Sequence, residues 1–396
     1  MTLREKLLFK ATLINSCAVS RLLCAALCFF ASPFIDAQST AVRSFDLPNA
    51  RFTALGNFHN AVTDDFASAF YNPAGLASVR STISAAELTF LVNSVDLAYE
   101  IYFGELEGLD FLKLITDRIN GSFTLGGPFS IGKISDGFGW HLYNASRFDI
   151  FWDRNDIFLI HPSISEEVVV ALGYGYRVLE FSEWTMDVGL SAHTFYRLAY
   201  SPKEIWIQEV LHILAEIDEE RFVTEIGVTF DGGIRWSKDD LLSFALNYKN
   251  FFSYAATAEY GGLGNYIDQK TYATGGNNLT PQLSGGFAVR FKSPIMHHWD
   301  TDIVFSMDYH GLYTLFEKGG RNKLYDFGAG FELRFLEVVS LRAGWYDMMP
   351  AFGLGINFTG LQLDIAIAGR QLDDKLWEKT TYIAAIGIMF NYYPNE

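Results

Sequence analysis

From Tyr382 to Tyr392 every second residue is apolar or aromatic: Tyr382, Ala384, Ile386, Ile388, Phe390 and Tyr392 share one parity. Ala385, Gly387 and Asn391 stand between them, with Ile383 and Met389 as exceptions. Side chains of a strand alternate between its two faces, so one face of this run suits lipid and the other a lumen. Such a strand is expected as the last stave of an outer-membrane β-barrel, a closed structure that leaves no backbone group unpaired in hydrocarbon.

The same period recurs upstream. Val168, Val170, Leu172, Tyr174 and Tyr176 alternate with Ala171, Gly173, Gly175 and Arg177. Trp184, Met186, Val188 and Leu190 do so with Thr185, Asp187, Gly189 and Ser191. Two further runs, Leu242, Phe244, Leu246, Tyr248 and Tyr325, Phe327, Ala329, Phe331, Leu333, Phe335, repeat the pattern. Read this way, strands fall at 81–104, 121–134, 137–146, 166–178, 184–200, 222–236, 241–256, 281–292, 300–312, 324–336, 338–347, 351–358, 361–370 and 380–392. The expected fold is therefore an all-β, 14-stranded antiparallel transmembrane β-barrel, an even count. Short connections (Ser135-Asp136, Ser237 to Asp240, Glu337, Thr359-Gly360) fall on one side, and long ones (105–120, 147–165, 201–221, 257–280) on the other, as bacterial barrels require. In the first strand the apolar phase passes from Leu88, Phe90 and Val92 to Val95, Leu97 and Tyr99, which predicts a bulge near Asn93-Ser94. Leu106 to Ile119 and Pro202 to Glu220 read as helical external connections.

The first 37 residues carry Arg4, Lys6, Lys10 and Arg21 ahead of an apolar run from Leu22 to Ala31, then Ser32-Pro33 and a cut site after Ala37. We expect a signal peptide at 1–37, a segment at 38–80 that does not alternate, and the barrel at 81–396. Cys17, Cys24 and Cys28 all lie in the leader, so the chain beyond residue 37 has no thiol to form a disulfide or bind a metal. The net charge is −16; the leader's four basic and two acidic residues give it +2, so the remainder sits at −18. That balance excludes a nucleic-acid partner, whose phosphates demand a basic face. No run outside the leader is long enough to span a bilayer as a helix.

Between leader and barrel, Asp64-Asp65 precedes a short helical stretch, and Asn72-Pro73-Ala74-Gly75 reads as a helix stop and turn. A compact non-strand segment ahead of a barrel suits a plug inside the lumen. Ala54-Leu55-Gly56, Ala61-Val62-Thr63-Asp64-Asp65, Ala67-Ser68-Ala69 and Asn72-Pro73-Ala74-Gly75-Leu76 resemble the N-terminal region of the FadL outer-membrane long-chain fatty-acid transport family, including its spirochaete-type members. The same motif resembles PorV-type barrels, which serve protein secretion. The first resemblance implies a hatch inside a 14-stranded barrel, with Gly56, Asp64, Asp65, Asn72, Pro73, Ala74 and Gly75 in hatching and gating. It also implies passive uptake of hydrophobic molecules such as long-chain fatty acids across the bacterial outer membrane. Asn57-Phe58-His59-Asn60 departs from the small glycines usual in that family. The Gly387, Phe390, Tyr392 spacing resembles the signal read by the barrel-insertion machinery, with Tyr393 to Glu396 trailing beyond it. Outer-membrane lipid and that machinery are the expected partners, and an anchored scaffold whose external loops bind protein is the other functional reading.

No nucleophile motif, zinc-binding His-Glu-x-x-His or phosphate loop occurs, so neither enzyme activity, a cofactor nor a metal is expected. His141, His193 and His310 read as solvated lumen histidines, and His297-His298 as a polar turn. By phase, the lumen receives Arg177, Arg197, Arg235, Lys249, Arg290, Lys292, Arg334, Arg342 and Arg370, and the acids Asp187, Glu225, Asp302, Asp308, Asp326, Glu332 and Asp364. A salt-bridged lining accounts for most of them. Arg290 and Lys292, whose own strand projects no acid inward, are the candidate ligands for a fatty-acid carboxylate.

Overall fold

The computed structural model describes residues 49–57, 60–63, 65, 67–79, 81–93, 121–127, 129–152, 159–200, 205–206, 221–239, 241–292, 301–315, 322–371 and 380–393. All belong to the compact unit Val42–Glu396. The leader with its cysteines, Asp64, Ser94, the connection at 106–119 and His297-His298 lie outside the described residues.

Seventeen strand segments form one sheet. In chain order they are β1 (Thr82–Asn93), β2 (Gly121–Gly126), β3 (Ile131–Ser135), β4 (Phe138–Trp152), β5 (Leu159–Phe181), β6 (Trp184–Tyr200), β7 (Ile205–Trp206), β8 (Phe222–Lys238) and β9 (Leu242–Tyr260). The remainder are β10 (Thr271–Asn277), β11 (Gln282–Lys292), β12 (Thr301–Tyr309), β13 (Phe327–Phe335), β14 (Val339–Tyr346), β15 (Met349–Phe358), β16 (Leu361–Gln371) and β17 (Thr380–Tyr392). Three staves are broken. β2 and β3 both lie between β1 and β4; β7 continues β6 along β5; β10 and β11 both run along β9. The wall therefore has fourteen antiparallel staves, and it closes where β17 pairs with β1, from Ile83 opposite Tyr392 to Asn93 opposite Ile383.

The wall is inverted relative to a water-soluble fold. Along β5, Val168, Val170, Leu172 and Tyr174 are 39–52% exposed whereas Val169 and Ala171 are 0% exposed. Tyr382, Ile386 and Phe390 are exposed in the same way, against buried Ile383 and Ala385. Alternate apolar and aromatic side chains thus point out, the arrangement that lipid rewards. No helix among the described residues is long and apolar enough to cross a membrane. At one end most staves join through short connections, tight turns among them at 136–137, 182–183, 336–338 and 359–360, whereas the connection of β11 to β12 at that end, 293–300, lies outside the described residues. Connections at the other end are longer, apart from the turn Asp347-Met348, whose φ values of 53° and 59° are left-handed.

Several details differ from the sequence reading. The first strand carries a bulge that the sequence reading did not place: pairing passes from Ala85↔Phe390 to Leu88↔Ile388, one extra residue that flips the phase, while the bulge expected at Asn93-Ser94 falls at the edge of the described residues. β4, β5 and β9 run beyond the expected 137–146, 166–178 and 241–256, so part of the expected loops is strand. Ile205 and Trp206, expected in a helix, pair with Ile160 and Leu159. Tyr325 lies in a 3-10 helix (Lys323–Asp326) and is buried, where a lipid-facing strand position was expected; Tyr248 is buried as well.

Candidate functional site

The segment ahead of the barrel holds two short helices, α1 (Ala50–Ala54) and α2 (Ser68–Tyr71), and a 3-10 turn, η1 (Pro73–Ala77). Side chains of the segment bond its own backbone at the start of α1 and just ahead of α2. Asn49 accepts from the Phe52 N–H at 3.2 Å, and Asp65 accepts from the Ala67 N–H at 3.0 Å. Pro73 opens η1 and lacks the N–H that would be orphaned there. Asn72, 0% exposed, accepts from the Ala74 N–H at 3.1 Å and donates to the Asn60 carbonyl at 3.0 Å.

The segment lies on the inner face of the wall, and wall glycines vacate its volume. A Cβ at Gly189, between outward Val188 and Leu190, would lie 2.2 Å from the Pro73 carbonyl carbon. One at Gly233 would lie 1.9 Å from Asn72 Oδ1. Of the segment's own expected residues, Gly56 sits at φ +78° against the backbone of Trp345 and Ala329, and Gly75 packs on Thr63. Gly56, Asp65, Asn72, Pro73, Ala74 and Gly75 therefore share one contiguous segment.

Charged pairs fasten it. Arg51 meets Glu332 on β13 at 2.9 Å and Asp65 at 2.7 Å, and Glu332 also receives Arg334 at 2.6 Å and Arg342 at 2.7 Å. Arg235 on β8 pairs with Asp187 at 2.7 Å, and its other nitrogen donates to Thr63 at 2.7 Å; it also reaches Ser78. His141 and His193 are not solvated, contrary to the sequence reading: Phe70 of α2 lies 5.3 Å from one ring and stacks 5.2 Å from the other. His193 also contacts the Ala69 carbonyl at 3.2 Å. Arg51, Asn60 and Asn247 had escaped the sequence reading; an arginine in an otherwise small and apolar stretch was the available signal.

Most inward bases are neutralised across strands. Arg177 pairs with Asp187 and Arg197 with both Glu167 and Glu225. Arg290 does meet an acid of the next stave, Asp302 on β12, diagonally across at 3.7 Å, and its backbone N–H donates to the Leu241 carbonyl near the tight-turn end. The Lys292 side chain is outside the described set, and Arg370 is exposed. Lys249 differs from these. The β8/β9 register jumps from Phe230↔Phe252 to Gly232↔Tyr248, so Lys249 to Phe251 bulge opposite Asp231. Asn250, at φ 53°, donates its N–H to Asp231 at 2.7 Å. The half-buried Lys249 ammonium sits 5.0 Å over the Tyr71 ring and makes no ion pair with a described residue. Past the end of β12, burial and the Lys249 charge hold the His310 imidazole down at about 3, while burial and a hydrogen bond with Tyr248 push the Tyr313 phenol up.

No family model matches the sequence, and no curated protein matches it. Among solved structures, the chain is similar to the CymD monoaromatic hydrocarbon channel at 9% identity, over 89% of this chain and 100% of that one, with a TM-score of 0.49. The P. putida toluene transporter TodX is 12% identical over 88% and 100%, with a TM-score of 0.46. A Pseudomonas aeruginosa FadL homologue is 11% identical over 87% and 98%, with a TM-score of 0.43.

Proposed function

We propose that the protein is an outer-membrane channel for passive entry of hydrophobic small molecules, long-chain fatty acids among them, with residues 38–80 as its hatch. The observation that carries the finer reading is Lys249, an inward cation left without an ion pair among the described residues, bordering Tyr71 of the inner segment. A closed wall with an apolar exterior supports passage through the outer membrane, and the contacts of Asn72, Arg51 and Arg235 support a hatch that can be released as a unit. Arg290, already facing Asp302, is the weaker candidate for a carboxylate, and Lys292 remains with it near the tight-turn mouth. The test is uptake of graded fatty acids into liposomes containing refolded protein. Flux no greater than in empty liposomes, at every chain length, would overturn the reading.

A second reading, a surface scaffold that binds protein through its external elements, is favoured by β10. Its residues are almost all exposed, and its only ladder partner among the described strands is β9. An exposed strand edge can accept an extended peptide.

A further inference from the structure

Asp308 on β12 is 2% exposed. One carboxylate oxygen, Oδ2, accepts the Asn60 N–H at 3.0 Å; the other, Oδ1, has no partner among the described residues. It overhangs Gly286 of β11, where a Cβ would come within 1.4 Å of Oδ1, so the glycine leaves the space into which that oxygen points. Two more buried atoms of the same cluster have no partner among the described residues: Nδ2 of Asn60 and Oδ1 of Asn247. The residues are linked, since Ser284 Oγ lies 3.2 Å from Asn60 Oδ1 and 3.4 Å from the Asn247 carbonyl. Asn247 and Ser284 face each other across β9 and β11, and Gly286 faces Asp308 across β11 and β12.

A buried carboxylate with one N–H donor and no ion pair among the described residues is costly, and the packed cluster of Ala61, Val62, Ala245, Ala288 and Val304 adds an apolar flank. The free atoms are mostly hard oxygens. Turning over the Asn60 amide, whose N and O ends are alike in shape, would present another oxygen while Ser284 Oγ accepts from Nδ2. Carboxylate, amide and hydroxyl oxygens suit an alkali or alkaline-earth ion. Among the described residues no cluster of three His, Cys, Asp or Glu could hold a metal, so the charge on offer is that of one carboxylate.

We infer that Asp308, Asn247, Ser284 and Asn60 form a seat for one monovalent hard cation, sodium in the first instance, that ties the inner segment to three neighbouring staves. Asn60 belongs to the segment and the other three to the wall, so the ion bridges the two. Occupancy stabilises the docked segment by mass action.

The test is thermal unfolding of the full-length protein in detergent at pH 8, with sodium chloride replaced stepwise by choline chloride at constant ionic strength. Sodium should raise the wild-type midpoint saturably, by roughly 2–4 °C. Asp308→Asn should abolish that dependence, and Asn247→Ala should move it to higher sodium concentration. Equal midpoints in the two salts, or sodium dependence unchanged in Asp308→Asn, would overturn the seat and leave a buried water or a protonated acid. Should Asp308→Asn fail to fold, the wild-type series and Asn247→Ala decide.

Discussion

Arg51 grips Glu332 with two nitrogens, Nε to Oε1 at 3.2 Å and Nη2 to Oε2 at 2.9 Å, across 281 residues of sequence. Both side chains are buried, and this pair joins the inner segment to β13. Removing one member of a buried pair costs about 3–5 kcal/mol because the survivor is stranded. Arg334 and Arg342 still neutralise Glu332 here, so Arg51→Met should lower barrel stability by less than that and expose the segment to protease. Glu332→Gln in the same chain should cost less than the sum of the two single changes, as coupled neighbours do. Guanidinium unfolding of all three variants in detergent checks this; additive losses would remove the coupling.

The contacts of Gly189 with Pro73 and of Gly233 with Asn72 lie on the inward face only. Gly189→Ala should therefore push the segment off the wall while leaving the lipid-facing surface intact. Overpacking of this kind costs about 1–3 kcal/mol. Planar-bilayer conductance should rise in Gly189→Ala, and Asn72→Ala should likewise change uptake of an apolar probe more than it changes heat-stability. Unchanged conductance together with a less stable barrel would make these contacts structural props alone.

His310 gives the stability a pH slope with a defined sign. In the folded chain burial, aided by Lys249, holds its imidazole at about 3, against 6.5 when unfolded. The unfolded chain therefore binds the proton first. Its contribution is fully present above pH 6.5 and is lost progressively as pH falls toward about 3. Buried carboxylates add slopes of their own, so the discriminating quantity is the difference from His310→Gln. That variant should lose less stability than wild type between pH 7 and pH 4, measured by the unfolding midpoint; parallel curves would count against the imidazole.

The staves were legible because each exposes alternate residues to lipid, and lipid tolerates few exceptions over the height of the bilayer. Where a stave rises into water on both faces the signal fades. β10, Thr-Tyr-Ala-Thr-Gly-Gly-Asn, is exposed at all but its last residue and reads as loop. Register is non-local. The bulge after Ala85 is defined by Phe390 and Ile388 on a strand some 300 residues away, and nothing local to Ala85 announces it. The interior chemistry failed for the same reason. Asp302 neutralises Arg290 from the next stave, and Phe70 seals two histidines that their own strands present as solvated. What the segment's motif did convey was its capping, since Asn72-Pro73-Ala74 needs only near neighbours to close its turn.

If a fatty-acid carboxylate seats at Lys249, its affinity should come mostly from the tail. Each buried methylene contributes about 0.8 kcal/mol, whereas a charged hydrogen bond contributes about 1.5–3 kcal/mol. Removing four methylenes should then weaken binding more than Lys249→Met does, and Arg290→Ala, with its guanidinium already facing Asp302, should change little. Lys249→Met should also erase the preference for the acid over the alcohol of equal length, because only the acid carries the charge that the ammonium reads. Calorimetric titration of refolded protein with paired acids and alcohols separates the two claims. Binding of both series with no effect of Lys249→Met would keep the channel and discard the cation; binding of neither would discard the channel.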